Sequence, residues 1–185
     1  VRDVIDGVAV TCIDNGMPVV VIQAAAGGHL VVALLDAPSS IRAVDEMLAA
    51  FHGTDGRMQQ LFGRVIRLVV CQHLVSRADG RGQIPGYEIL QGSNEVRRLI
   101  AGGEISYLHQ VMRDEGQQTL ARQLSRMMEV GSITQDEALQ YVDADELEVS
   151  PAHAAYAAEP PRVAIMDDAT PLMSTTPVLI VIEPS

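Results

Sequence analysis

Apolar residues in the first 36 positions come in short runs, not in a helical stripe. Residues 8–13 (VAVTCI) and 18–23 (PVVVIQ) are rich in β-branched side chains and flank Asp14-Asn15-Gly16, so they predict two buried strands or a hairpin closed by an Asn-Gly turn. Residues 29–35 (HLVVALL) are too short for a helix and stop at Asp36-Ala37-Pro38, the pattern of a third buried strand. The period then changes. Ile41, Val44, Met47, Leu48 and Phe51 fall on one helical face, with Ser39 or Ser40 as N-cap and Gly53 as the stop. Asp55 opens a longer helix with a stripe of Met58, Leu61, Phe62, Val65, Leu68 and Val69.

Residues 78–82 (ADGRG) read as a turn and 83–90 as a strand weakened by Pro85. Helices are expected at 94–101, 105–113 and 118–130, the last closed by Gly131. Thr134 and Glu137 have the spacing of a capping box, in which hydroxyl and carboxylate each satisfy a free N–H of a short final helix. Past Val142 the composition turns acidic and rich in alanine and proline, which predicts a linker or tail over 143–185, with apolar runs at 162–166 and 177–182. The expected organisation is a β segment over 1–23, an α/β body over 24–142 and this tail. There is no internal repeat.

A chain of 185 residues with 48% apolar content can bury one real core but not two catalytic domains. It has neither an apolar run of about 18 residues nor a basic stretch leading into one, so no membrane span or signal peptide is indicated and a cytoplasmic setting is expected. The formal charge of −11, with acids concentrated after residue 100, disfavours nucleic acid as a partner. Cys12 and Cys71 lie far apart without ligand spacing, so no metal site is expected. All 13 basic residues are arginine. Chemistry that needs a lysine is therefore excluded for this chain alone.

The stretch AAAGGHLVVALLDAPSSIRAVDEML, from residue 24, resembles the segment of type IV pilus retraction and type II secretion ATPases that follows their Walker B region, and the likeness continues to about residue 141. It is carried by the Gly28-His29-Leu30 strand start, by Val44-Asp45, by Gln72-His73-Leu74-Val75, by RADGRGQIPGYEIL, by Glu95-Val96-Arg97-Arg98-Leu99-Ile100, and by GQQTLARQL and GSITQDEAL. The resemblance implies part of a RecA-like α/β ATPase domain, with His29 as the nucleotide-side residue and Arg97, Arg98, Leu99 and Ile100 as partner-binding residues. It also implies neighbouring ATPase subunits, or pilus and secretion machinery serving twitching motility, as partners. The chain departs from that family where ATP chemistry is done. The sequence carries no P-loop and no acidic Walker B stretch, Asp36 stands where a second histidine is expected, and Ala121 replaces an aspartate. ATP and magnesium are thus expected only with the missing halves or partner subunits.

Residues 1–22 (VRDVIDGVAVTCIDNGMPVVVI) resemble a different family, the 4-oxalomesaconate tautomerases, through Thr11 to Pro18. This second resemblance implies a strand-turn-strand wall of a substrate pocket and an isomerase of small unsaturated di- or tricarboxylates, with Cys12 a weak catalytic candidate lacking a nameable proton partner. In the tail, PPRVAIMDDA is similar to the first strand and acidic pair, Asp167 and Asp168, of response-regulator receivers, with too few residues after it for such a domain. Together the pieces suggest a fragmentary or rearranged gene product. A degenerate ATPase-like motor fragment is the leading expectation, with the isomerase and a non-enzymatic interaction module using the helices of 94–130 as alternatives.

Overall fold

The computed structural model describes residues 3–5, 8–12, 18–51, 56–147 and 177–182. Among the described residues six strands form one sheet: β1 (Asp3–Ile5), β2 (Val8–Cys12), β3 (Leu30–Asp36), β4 (Ile66–Ser76), β5 (Gln83–Gln91) and β6 (Pro177–Ile182). Their order across the sheet is β1-β2-β3-β6-β4-β5. Only the β2–β3 pair is parallel, joined through α1 (Pro18–Ala26); the other neighbours are antiparallel. Beyond α1 the described helices are α2 (Ser40–Ala49), α3 (Arg57–Val65), α4 (Asn94–Gly102), α5 (Leu108–Asp114), α6 (Leu120–Glu129) and α7 (Gln135–Ala138), with a 3-10 turn at Ile105–Tyr107.

The helices of the body form where caps and stripes coincide. Ser39 takes the N-cap of α2, its hydroxyl accepting from the Arg42 amide, and Ser93 and Thr119 do the same for α4 and α6. Gly103, at φ 74°, ends α4 in the left-handed conformation that a Cβ disfavours. Two expectations fail. Residues 18–23 are not a strand but the first two turns of α1, so the strand-turn-strand expected of 8–23 does not form; Asp14-Asn15-Gly16 lie outside the described residues. Pro18, Val21, Ile22 and Ala25 are its buried positions, a helical spacing that β-branched composition conceals because nearly every neighbour is apolar too. Leu68 and Val69 belong to β4 and not to the preceding helix, which ends at Val65. Gly53 and Asp55 also lie outside the described residues.

Inward-facing strand residues Val31, Ala33, Val69, Cys71, Leu90, Val178, Ile180 and Ile182 join α1 to α5 in the main core. A smaller core under α6 and α7 gathers Val75, Leu120, Leu124, Met127, Ile133 and Ala138. Residues 177–182, read from sequence as part of the tail, thus form a central strand, paired with β3 on one side and β4 on the other. The opposite sheet face carries Val32, Leu34, Leu68, Val70, Ile89 and Leu179 at half-buried or exposed positions, Leu34 at 39%, and none of them belongs to either core.

The α3–α4 crossing is closer than side chains allow. A Cβ on Gly63 would stand 2.7 Å from the Arg97 carbonyl oxygen and 2.9 Å from the Ala101 Cβ, and both are rigid neighbours. Gly63→Ala is expected to destabilise the fold by about 1–3 kcal/mol through forced separation of the two helices, read as a lowered urea midpoint with an unchanged slope. An unchanged midpoint would show that the crossing can relax at no cost.

Candidate functional site

His29 stands where α1 turns into β3. Gly28, at φ 99°, reverses the chain, and the carbonyl of Ala24 then accepts from the Gly27 and His29 amides and from His29 Nδ1, the last at 3.2 Å. A carbonyl only accepts, so this contact assigns a proton to Nδ1. His29 thereby helps close the C-terminus of α1. Asp36 lies exposed at the far end of the same strand. Cys12 ends β2, opposite Leu34 in the parallel register.

A polar row that sequence reasoning did not single out crosses the buried face of β4 and β5. Glu88, only 5% exposed, accepts from both the amide and the hydroxyl of Ser40 at the first turn of α2, the amide at 2.8 Å. Cys71 faces Glu88 across the ladder, and its Sγ lies 3.3 Å from His73 Nε2. His73 in turn meets the Tyr141 ring edge-on at 5.8 Å, and the Tyr141 hydroxyl donates to the Leu74 carbonyl. Burial, reinforced by the Glu88 charge, pushes the Cys71 thiol up to about 12. Burial also lowers the His73 imidazole below its ordinary value, against the opposing pull of Glu88. At neutral pH both partners are uncharged, so the pair lacks the thiolate that a nucleophile requires. The signal that could have revealed this row is the lone acid of the strand sequence PGYEIL at an inward-facing position, with Cys71 and His73 two residues apart on its neighbour.

Arg97 and Arg98 sit on α4 as two separate environments: Arg97 half-buried, Arg98 exposed and held by Glu95 through two bonds of 3.0 and 2.8 Å, with Glu104 at 3.6 Å. Leu99 and Ile100 are 2% and 0% exposed and lie in the main core, so their side chains are not available to a partner. Arg64 of α3 and Arg97 and Arg98 of α4 line, with Gly63, Asn94 and Ala101, a shallow groove of about 400 Å³. His29 is not part of it. The capping box at α7 is half formed. Thr134 accepts from the Glu137 amide, but the Glu137 carboxylate turns to the Ser76 amide, at 2.8 Å, and so ties α7 to β4. Among the described residues no cluster of His, Cys, Asp and Glu could hold a metal ion, and no helix is long and apolar enough to cross a membrane.

This mixed α/β sheet with helices packed on one face is a fold that two solved ATPases share over part of their length. It has the fold of the pilus retraction motor PilT with bound ADP, matched at a TM-score of 0.62 and 23% identity over 69% of this chain and 37% of that one. It matches the Legionella pneumophila ATPase DotB at 0.63 and 21% identity, over 72% and 38%. In sequence the chain is partly homologous to type IV pilus ATPases. It is 28% identical over 120 residues to PilU of Pseudomonas aeruginosa, covering 63% of this chain and 31% of PilU. Against the retraction ATPase PilT of that organism it is 25% identical over 121 residues, 63% and 35%. The chain thus spans about a third of the length of these relatives, and no family model matches it.

Two outcomes are expected of the polar row. Glu88→Ala removes the acceptor of two buried Ser40 donors and should cost about 2–4 kcal/mol in urea unfolding; a loss below about 0.5 kcal/mol would mean that α2 is held by its apolar stripe alone. His73 is harder to protonate folded than unfolded, where its value is about 6.5. The unfolded chain therefore takes up a proton first as pH falls below about 6.5, and stability declines from there toward the lowered folded value, whereas above about 6.5 His73 contributes no pH dependence. His73→Gln should flatten that decline below about pH 6.5; an identical profile in the variant would assign it to other groups.

Proposed function

We propose that this chain is a degenerate or truncated relative of the pilus retraction and secretion ATPases that does not hydrolyse ATP by itself and acts through contacts with neighbouring ATPase subunits or with pilus or secretion machinery in the cytoplasm. The observation that carries the reading is a conjunction: the fold of PilT and DotB over some seventy per cent of the chain, in a sequence without a lysine or a GxxxxGK loop. Phosphoryl transfer depends on positioned backbone amides, a lysine and a magnesium-holding acid to neutralise the β- and γ-oxygens. Gly80-Arg81-Gly82 cannot substitute, because it sits in the β4–β5 turn, with no helix following to present its amides to a phosphate. Asp36 adds a negative charge at the end of β3, where a triphosphate would be repelled. His29 has its Nδ1 engaged with the Ala24 carbonyl.

A non-enzymatic interaction module is the companion reading, supported by the groove between α3 and α4, which Arg97 and Arg98 of the α4 motif line.

The test is phosphate release from ATP and magnesium in a malachite-green assay. No turnover above background is expected for the isolated chain. Steady turnover that disappears in His29→Ala would mean that the chain assembles a nucleotide site of its own.

A further inference from the structure

We propose that α6 and α7 form an acid-released latch over the far end of β4, with His73 as its sensor.

The latch occupies an edge that the sheet leaves open. β6 pairs with β4 only as far as Cys71, whereas β4 runs on to Ser76, paired with β5 throughout that stretch. Beyond Cys71 the side of β4 away from β5 is taken by the segment that follows α6. The Ser132 carbonyl accepts from the Ala78 amide at 2.9 Å and the Glu137 carboxylate from the Ser76 amide at 2.8 Å, while the Tyr141 hydroxyl donates to the Leu74 carbonyl at 3.0 Å. These three bonds fall on alternate residues, the spacing at which a strand offers its backbone to one side.

Beneath the latch lies the smaller core, in which Leu120, Leu124, Met127, Ile133 and Ala138 meet Val75 and no residue of the main core takes part. Where the unit begins it is anchored to β5, the Gln118 carbonyl accepting from the Ile89 amide at 2.8 Å and the Gln118 side chain donating to the Tyr87 carbonyl at 3.1 Å. A unit with its own core, anchored at one end and hydrogen-bonded to a strand edge at the other, can open while the main core stays closed.

His73 sits under this unit, its ring edge-on to Tyr141 at 5.8 Å and its Nε2 3.3 Å from the Cys71 Sγ. The titratable groups around it are Cys71 on its own strand, Glu88 on β5, Tyr141 beyond α7, and Glu137 of α7, whose charge acts on Tyr141. From α6, Leu120 and Leu124 approach Gly86, the residue opposite His73; Arg126 and Glu129 are exposed, and Arg122 holds the Gly116 carbonyl. Burial lowers the His73 imidazole below its ordinary value, and Glu88 offsets this only in part. Lifting Tyr141 and α7 returns the ring to water, where it takes up a proton near pH 6.5. The open form therefore binds the proton first as pH falls, so acid favours opening below about pH 6.5, and above that the latch is indifferent to His73.

Amide hydrogen exchange of the full chain, followed residue by residue by NMR and expressed as protection factors, tests this. The α6 amides are expected to be at least about tenfold less protected than those of α4 at pH 7. Their protection should fall further by pH 5, and a single proton bound only in the open form sets a ceiling of about 25-fold on that fall. His73→Gln should abolish the fall. Glu137→Gln, which keeps an acceptor for the Ser76 amide, should retain it. Tyr141→Phe, which loses the bond to Leu74 and keeps the ring, should lower α6 protection by about threefold or more at both pH values and leave α4 unchanged, an outcome that does not depend on the stability of His73→Gln. Equal protection of α6 and α4, a fall that survives His73→Gln or vanishes in Glu137→Gln, or no effect of Tyr141→Phe would overturn the proposal.

Discussion

A carboxylate shut away from water has to be held by donors, and in this chain that requirement determines where α2 lies. Glu88 projects from β5 into the layer between sheet and helices and takes the amide and hydroxyl of Ser40 together. The helix N-terminus supplies both the hydrogen bonds and the favourable end of its dipole. With α2 anchored at its first turn, Ile41, Val44 and Met47 are set down in the main core. The same anchor holds the link from β3, whose Ala37 carbonyl approaches the Cys71 thiol. Removing one partner would leave the other buried and unsatisfied, so the pair constrains the packing more than its net contribution to stability suggests.

That interaction sits at the seam between the two cores. Cys71 belongs to the larger and Val75, four residues along β4, to the smaller, with His73 between them against Tyr141. Neutral groups suit such a place. A charged imidazole or thiolate would have to be solvated there, and burial moves both groups away from ionisation. The row is therefore chemically quiet: at neutral pH Cys71 is not the thiolate that covalent chemistry would need.

The sequence announces the elements whose caps and stripes agree. α2, α4 and α6 are legible because Ser39, Ser93 and Thr119 stand just ahead of apolar residues at helical spacing. α1 is not, because PVVVIQAAA has no polar face to define a period; what makes it a helix is burial of Pro18, Val21, Ile22 and Ala25, a tertiary fact. The α3–β4 boundary is hidden for the opposite reason. Leu68 and Val69 continue the stripe of Phe62 and Val65 and fit a strand equally well, so only sheet pairing decides. The arginines of α4 were visible as a motif, but their division from Leu99 and Ile100 was not, since a helix shows a stretch of four residues to opposite sides. Glu88 could be read as a strand residue, but its partner Ser40 lies 48 positions away.

The place of β6 bears on how the chain comes into being. Val178 to Ile182 pair with β3 and with β4, so before β6 is made a nascent chain has two half-sheets, β1-β2-β3 and β4-β5, with no strand pairing between them. Each half then presents an open strand edge, and an open edge is a template for the wrong neighbour. The main core, which draws on both halves and on Ile180 and Ile182, cannot close before synthesis has passed residue 182. Completion of the sheet therefore waits on a contact of long sequence separation, and the interval before it is when chaperones would matter most.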